Sequence, residues 1–173
     1  MITFVNSKKW LQDSINFLIH VFAVGFGSGC IPKAPGTFGT LAAIPLYLLA
    51  QPLPVWVYLL LTFTGFGLGI WVCGRTAQNF GTHDHPAIVW DEVVGYFLTM
   101  VDAPSGWLWI ITGFALFRGF DIIKPWPIRQ VDKRIKGGFG IMLDDFLAAC
   151  YSWLVLQGLV YGTGQWASHV VPI

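Results

Sequence analysis

Residues 54–73 have the sequence PVWVYLLLTFTGFGLGIWVC, which contains no charged side chain. As an α-helix these twenty residues would be about 30 Å long, which matches the hydrocarbon core of a bilayer. A second uncharged stretch runs from residue 146 to about residue 164, directly after Asp144 and Asp145. The two stretches predict two membrane-spanning helices.

The composition of the whole chain agrees with a membrane protein. Only 11% of the 173 residues are charged, where a soluble domain carries about 25%, and the mean hydropathy is +0.63. The net charge of +1 argues against a nucleic-acid partner, because few cations are left to neutralise phosphates. The length fits a single domain over residues 1–173. A soluble helical domain with an unusually apolar core is the alternative.

Three shorter apolar stretches, residues 37–50, 93–101 and 107–117, are too short to cross a bilayer unaided. Proline and glycine at residues 51–54 and 102–106 predict turns between them. We therefore expect an all-α fold: a compact multi-helix integral membrane domain with short helices that are tilted, partly re-entrant or interfacial. The short stretches would be arms of two helical hairpins.

The distribution of charge predicts an orientation. If the N-terminus is cytoplasmic and the chain turns at residues 51–54 and 102–106, all ten lysines and arginines fall on the cytoplasmic side. Most acids fall on the same side, with Asp102 opposite. Any chemistry is therefore expected at the cytoplasmic face.

Three widely spaced cysteines, Cys30, Cys73 and Cys150, predict buried free thiols rather than a disulfide framework.

Residues 83–92, HDHPAIVWDE, place two adjacent carboxylates in apolar surroundings. Pro86 suits the first position of a helix, with Asp84 or His85 as its cap. Asp91 and Glu92 would then lie inside this helix, where they are costly unless a cation, hydrogen bonds or protonation neutralise them. The pattern predicts a metal site or a proton relay, and the alternative is a pair that caps a helix in water.

Residues 117–129, FRGFDIIKPWPIR, combine cations with an acid. Arg118 and Asp121 are three residues apart on one helix face, which favours an ion pair. Arg118, Lys124 and Arg129 could instead form a phosphate clamp, because guanidinium and ammonium groups bind phosphate oxygens. They could also be positive-inside anchors, and the two roles are compatible.

Two glycine-rich motifs complete the pattern. GGFGIMLDD, residues 137–145, predicts a permissive loop followed by Asp144 and Asp145 in the first turn of the last helix. These acids could serve the helix dipole, or they could join the other acidic segments in an oxygen-rich Mg²⁺ site. PGTFGT, residues 35–40, follows Lys33 and could cradle phosphate or pack against another helix.

Together, PGTFGT, HDHPAIVWDE, FRGFDIIKPWPIR and GGFGIMLDD resemble the bacterial phosphatidylglycerophosphatase A family, over about residues 20–150. The resemblance implies a small all-helical enzyme of the bacterial cytoplasmic membrane, multi-pass, with its active site facing the cytoplasm. It would hydrolyse the terminal phosphomonoester of phosphatidylglycerophosphate to phosphatidylglycerol and phosphate, with Mg²⁺ as cofactor. Its partners would be this lipid and the membrane.

The resemblance and the chemistry of the residues give an expected site. The expected catalytic acids are Asp84, Asp91, Glu92 and Asp145. The expected metal ligands are Asp91, Glu92, Asp121, Asp144 and Asp145. The expected phosphate-binding residues are Lys33, Thr37, Arg118, Lys124 and Arg129.

Several alternatives remain at the level of sequence. The attacking group could be water or an aspartate, and His83 or His85 could replace Asp84 as the general acid or base. A small ion-coupled transporter or channel subunit would explain intramembrane acids, although it does not explain the flanking cations. A lipid-binding scaffold without catalysis is a third interpretation.

Overall fold

The structure is a computed structural model that describes residues 2–82 and 85–164, with side chains from residue 12 onward. This part of the chain is helical and contains no β-strand. The elements in chain order are α1 (Ile2–Ala23), a 3-10 helix (Gly25–Cys30), α2 (Pro35–Ala50), α3 (Val55–Phe80), α4 (Trp90–Thr99), α5 (Trp107–Ile123), α6 (Ile128–Arg134) and α7 (Gly137–Gly162).

Among the described residues, α3 and α7 are the two helices that are long and apolar enough to cross a membrane. Each has 26 residues, so both extend beyond the predicted stretches. Helix α7 begins at Gly137, and the predicted glycine loop is wrong because these glycines form the first turn of the helix. One of these glycines allows a close helix crossing, because a side chain at Gly138 would collide with the backbone of Ile70 and Gly74 in α3.

Helix α4 begins later than its sequence predicts. The expected start at Pro86 is wrong, since residues 85–89 form a turn and the helix begins at Trp90. The backbone N–H of Val89 donates to the carbonyl of Ala23 at the end of α1, at 2.9 Å. This long-range bond holds the preceding segment out of the helix, and it leaves Asp91 and Glu92 in the first turn of α4.

Helix α7 lies at the centre of the fold and packs against α3, α4, α5 and α6. Helix α4 packs against α7 and also contacts both α2 and α3. The core between these helices is rich in large side chains, among them Tyr47, Tyr96, Phe117 and Leu156. Many apolar side chains point outward instead, including Trp56 and Trp71 of α3 and Leu108 of α5.

The helices run back and forth between two ends. The α2–α3 and α4–α5 connections meet at one end, where Gln51, Leu53, Asp102 and Ser105 line a cavity of about 130 Å³. Near the end of α7, the side chain of Gln157 donates to the carbonyl of Val101 at the same place. We call this the turn end. The opposite end, which holds the buried acids of α4, α5 and α7, is the acidic end.

None of the three cysteines forms a disulfide, as expected, but they differ in burial. Cys73 is buried and Cys150 is half-buried. The prediction of a buried thiol is wrong for Cys30, which is exposed because it ends the 3-10 helix at the surface of the acidic end.

Candidate active site

Three helices bring five carboxylates together at the acidic end. Carboxylate oxygens of Asp91, Glu92 and Asp145 lie within 4.8 Å of one another, and so do those of Asp121, Asp144 and Asp145. The first two acids come from the first turn of α4, Asp121 from the last turn of α5, and Asp144 and Asp145 from α7. The residues expected to bind the metal therefore share one site in the structure.

Arg118 joins two of the acidic segments. Its Nη1 lies 2.7 Å from Asp121 Oδ2 and 3.7 Å from Glu92 Oε1. The ion pair with Asp121 is the one that their spacing of three residues predicts. The guanidinium is largely buried, at 14% exposure, so it supplies positive charge where solvent screens little.

Lys124 contacts the acids from the end of α5. Its backbone adopts a left-handed conformation, with φ 45°, directly after the helix. The Nζ atom lies 2.6 Å from Asp144 Oδ2 and 3.2 Å from Asp132 Oδ1. Burial alone would lower the pKa of Lys124, but the charges and hydrogen bonds of Asp144 and Asp132 outweigh it and raise the pKa. Lys124 therefore stays charged in the site.

The PGTFGT motif contributes a glycine to the site. A side chain at Gly36, in the first turn of α2, would collide with Glu92 Oε1 and lie 3.0 Å from Arg118 Nη2. The start of α2 therefore packs directly on the α4–α5 ion pair. Thr37 follows and is half-buried, whereas Lys33 precedes the helix and is exposed.

Other expected residues lie apart from this cluster, and two lie outside the described residues. Arg129 is exposed on α6 and makes no ion pair with an acid in the described residues. His85 stacks edge-on against Phe80, and its Nδ1 accepts the backbone N–H of Ala87. Asp84 and His83 lie outside the described residues.

Burial and neighbouring charges both act on Glu92 in the first turn of α4. Burial raises the pKa of Glu92 to about 8, and the nearby charge of Asp145 adds to the effect, while Arg118 opposes it. A cation at the site would favour the ionised form instead.

The oxygens of the cluster fit a hard divalent cation. Glu92 Oε2, Asp144 Oδ1 and Asp145 Oδ2 are buried and have no hydrogen-bond partner. Buried carboxylate oxygens normally have partners, and carboxylate oxygens are the ligands that Mg²⁺ prefers. The donor set therefore suits Mg²⁺ better than a thiolate- or imidazole-binding metal.

A cavity of about 170 Å³ opens onto the acids between α4, α6 and α7. It is lined by Asp91 and Asp144 and also by Asp132, Lys133 and Lys136. The two lysines were not expected at the site, because neither belongs to an acidic motif. Lys133 lies in the short charged helix α6 and Lys136 directly precedes α7, so the signal in the sequence was a charged segment between two acidic segments.

Comparison with known proteins relates the whole helical core to one family. The family model of phosphatidylglycerophosphatase A matches residues 21–160. The phosphatidylglycerophosphatase A of Haemophilus influenzae is 50% identical over 145 residues, which cover 83% of this chain and 89% of that protein. The phosphatidylglycerophosphatase A of Escherichia coli is 45% identical over 147 residues, 84% of this chain and 83% of that protein. No solved structure matches the chain.

Proposed function

This chain belongs to the phosphatidylglycerophosphatase A family, and we propose that it removes the terminal phosphate of phosphatidylglycerophosphate in a Mg²⁺-dependent reaction. Family membership makes it a phosphoric monoester hydrolase. The products are phosphatidylglycerol and inorganic phosphate.

One observation carries the proposal: five acids and two cations from α4, α5 and α7 meet in a single largely buried cluster. Phosphoryl transfer depends mainly on positioning and on neutralising negative charge. A cluster with carboxylates for a divalent cation, and with Arg118 and Lys124 beside them, is suited to both tasks.

Asp91, Glu92, Asp121, Asp144 and Asp145 would hold the Mg²⁺. When bound, Mg²⁺ polarises phosphate oxygens and lowers the pKa of a bound water. Arg118 presents a planar guanidinium and Lys124 a point charge, so both can bind and orient the phosphate of the substrate. The cavity beside Lys133 and Lys136 offers room for the headgroup next to the acids.

We further propose that the chain is a multi-pass protein of the bacterial cytoplasmic membrane, with the acidic end facing the cytoplasm. The length and hydropathy of α3 and α7 support this arrangement, as do the outward apolar side chains. The positive-inside rule supports the orientation, because the two connections at the turn end contain no lysine or arginine. A phosphate at the lipid headgroup would then reach the acids from the inner membrane surface.

Turnover tests the function. The purified chain in detergent should release inorganic phosphate from phosphatidylglycerophosphate when Mg²⁺ is present, and excess EDTA should stop the release until Mg²⁺ is restored. Asp102→Asn, at the turn end, should behave as the wild-type protein does. Absence of phosphate release with Mg²⁺ would contradict the proposed function, whereas release that continues in EDTA would contradict the metal requirement alone.

Thiol labelling tests the orientation. Cys30 is exposed at the acidic end, so a membrane-impermeant maleimide should label it in inverted vesicles and not in spheroplasts. Ser105 is exposed at the turn end, and Ser105→Cys in a Cys30→Ser background should give the opposite pattern. The reverse result for the two thiols would refute the orientation.

The buried acids alone would also fit a transporter or channel subunit. The relatives give no support to that alternative, because both relatives are named as phosphatases. A non-catalytic lipid-binding scaffold is excluded by the same turnover experiment if phosphate is released.

A further inference from the structure

Asp145 belongs to two groups of acids at once. It lies within reach of Asp91 and Glu92 on one side and of Asp121 and Asp144 on the other, with ligand oxygens at most 4.8 Å apart in each group. At 3% exposure it is the most buried acid of the cluster. The site therefore consists of two overlapping sets of oxygens that share one carboxylate.

The positions of the helices explain why the acids form two sets around Asp145 rather than one. Asp144 and Asp145 are neighbours on α7, and successive residues of an α-helix point about 100° apart. Glu92 approaches Asp145 from the start of α4, while Asp121 approaches from the end of α5. The two sets thus reach α7 from different neighbouring helices.

Each set contains a buried oxygen without a hydrogen-bond partner. The oxygen is Oε2 in Glu92 of the first set, Oδ1 in Asp144 of the second set, and Oδ2 in Asp145, the residue that both sets share. Asp144 and Asp145 are more than nine-tenths buried. Unpartnered buried oxygens are costly, so their presence in both sets indicates a ligand for each.

The charge of the site also favours more than one ion. With Asp132 the site has six acids, and with Lys133 and Lys136 it has four cations, so two negative charges remain when all the acids are ionised. One divalent cation neutralises this excess, but a phosphate monoester would then add about two negative charges. Two divalent cations turn the site positive by two charges, which favours an incoming phosphate.

We propose that the acidic end binds two divalent cations side by side, with Asp145 as their shared ligand. One ion lies between Asp145 and the α4 acids, and the other between Asp145 and the acids Asp121 and Asp144. This deepens the proposed function and rests on it. Carboxylate-bridged pairs with ions about 3.5–4 Å apart are suited to displacement at phosphorus, because they neutralise the attacking and leaving oxygens together.

Mn²⁺ binding tests the proposal without reference to turnover. The metal-free chain in detergent should bind two Mn²⁺ per chain in equilibrium dialysis. At full loading, its electron paramagnetic resonance spectrum should show a spin-coupled Mn²⁺ pair. One Mn²⁺ per chain, or two ions with no coupling, would overturn the proposal.

Variants assign the two positions. Glu92→Gln and Asp121→Asn should each reduce binding to one Mn²⁺ per chain and abolish the coupling, because each alters one set only. Asp145→Asn should abolish the coupling and weaken binding of both ions by about tenfold or more. Asp102→Asn is the matched control at the turn end and should retain a coupled pair. Circular dichroism and gel filtration identify variants that fail to fold. If either Glu92→Gln or Asp121→Asn fails to fold, the other variant still tests whether the loss of one set removes one ion.

The outcomes separate this proposal from the function beneath it. A single Mn²⁺ per chain together with Mg²⁺-dependent phosphate release would refute the ion pair and leave the phosphatase intact. No Mn²⁺ binding and no release would refute both. A coupling that survives in Asp145→Asn would remove Asp145 as the bridge.

Discussion

The two ends of the molecule treat buried polar groups in opposite ways. At the turn end, the hydroxyl of Tyr58 donates to the carbonyl of Phe97 at 2.7 Å, and Tyr96 donates to Ile110 at 3.1 Å. Gln51 donates to the hydroxyl of Tyr47. At the acidic end, by contrast, oxygens of three carboxylates have no partner.

The difference distinguishes polar groups that stabilise the fold from the carboxylates that we propose bind a cation. Satisfied tyrosines at the turn end cost little and hold helix ends in place. Unsatisfied carboxylates at the acidic end lower the stability of the protein, and binding of the proposed cation would offset this cost. Variants at the acidic end should therefore change activity more than folding, and variants at the turn end should do the reverse.

The largest effect is expected from Asp145→Asn. The change removes the charge that both groups of acids share, so phosphate release should fall by about 1,000-fold. Stability should not fall in parallel, because one of several mutually repelling charges is lost. Phosphate assays and thermal unfolding in detergent measure the two quantities. Activity within tenfold of wild type would place Asp145 outside the site.

Arg118→Ala should lower both phosphate release and stability, because Arg118 is the cation that links α4 with α5. Loss of one partner of a buried ion pair costs about 3 kcal/mol, and loss of a phosphate-binding guanidinium should reduce turnover by about 100-fold. Arg75→Ala, at an exposed position of α3, is the control and should change stability by no more than about 0.5 kcal/mol. Equal unfolding midpoints for the two variants would show that the ion pair contributes nothing.

Gly36→Ala should have a smaller effect that is confined to the acidic end. The added methyl group meets Glu92 and Arg118, and a displaced ligand should lower turnover by about tenfold. Gly67→Ala on α3 is the matched change in open space. It should preserve turnover and stabilise the helix by up to about 1 kcal/mol. If both alanines behave alike, the contact of α2 with the site has no role.

Tyr58→Phe should have the smallest effect, and it should change stability rather than activity. Loss of the hydrogen bond to the Phe97 carbonyl should lower the free energy of unfolding by about 1 kcal/mol. Phosphate release per folded molecule should stay at the wild-type value, because the tyrosine lies at the turn end. A clear loss of turnover would mean that the two ends are coupled.

The sequence predicts those features of the fold that depend on local chemistry. Uncharged stretches of helical length predict α3 and most of α7, and proline and glycine at residues 51–54 and 102–106 predict the two connections. The spacing of Arg118 and Asp121 predicts their ion pair. Each of these inferences needs only neighbours within a few residues along the chain.

Features that depend on distant contacts were not predictable in this way. Helix α4 starts at Trp90 because of a hydrogen bond between Val89 and Ala23, and Gly138 at the start of α7 lies directly against the backbone of α3. The role of Gly36 depends on Glu92 and Arg118, which are far away in sequence. The lysines of the cavity, Lys133 and Lys136, are recognisable only once α6 is placed beside α7.

The close approach of Gly138 to Gly74 has a mechanical consequence. Two helices in backbone contact cannot slide past each other by a fraction of a turn without a collision, so we expect α3 and α7 to move together. If both helices span a bilayer as we propose, they would tilt together in a bilayer of different thickness. The carboxylates on α7, one to two turns from the crossing, would keep their spacing while the lipid around them deforms.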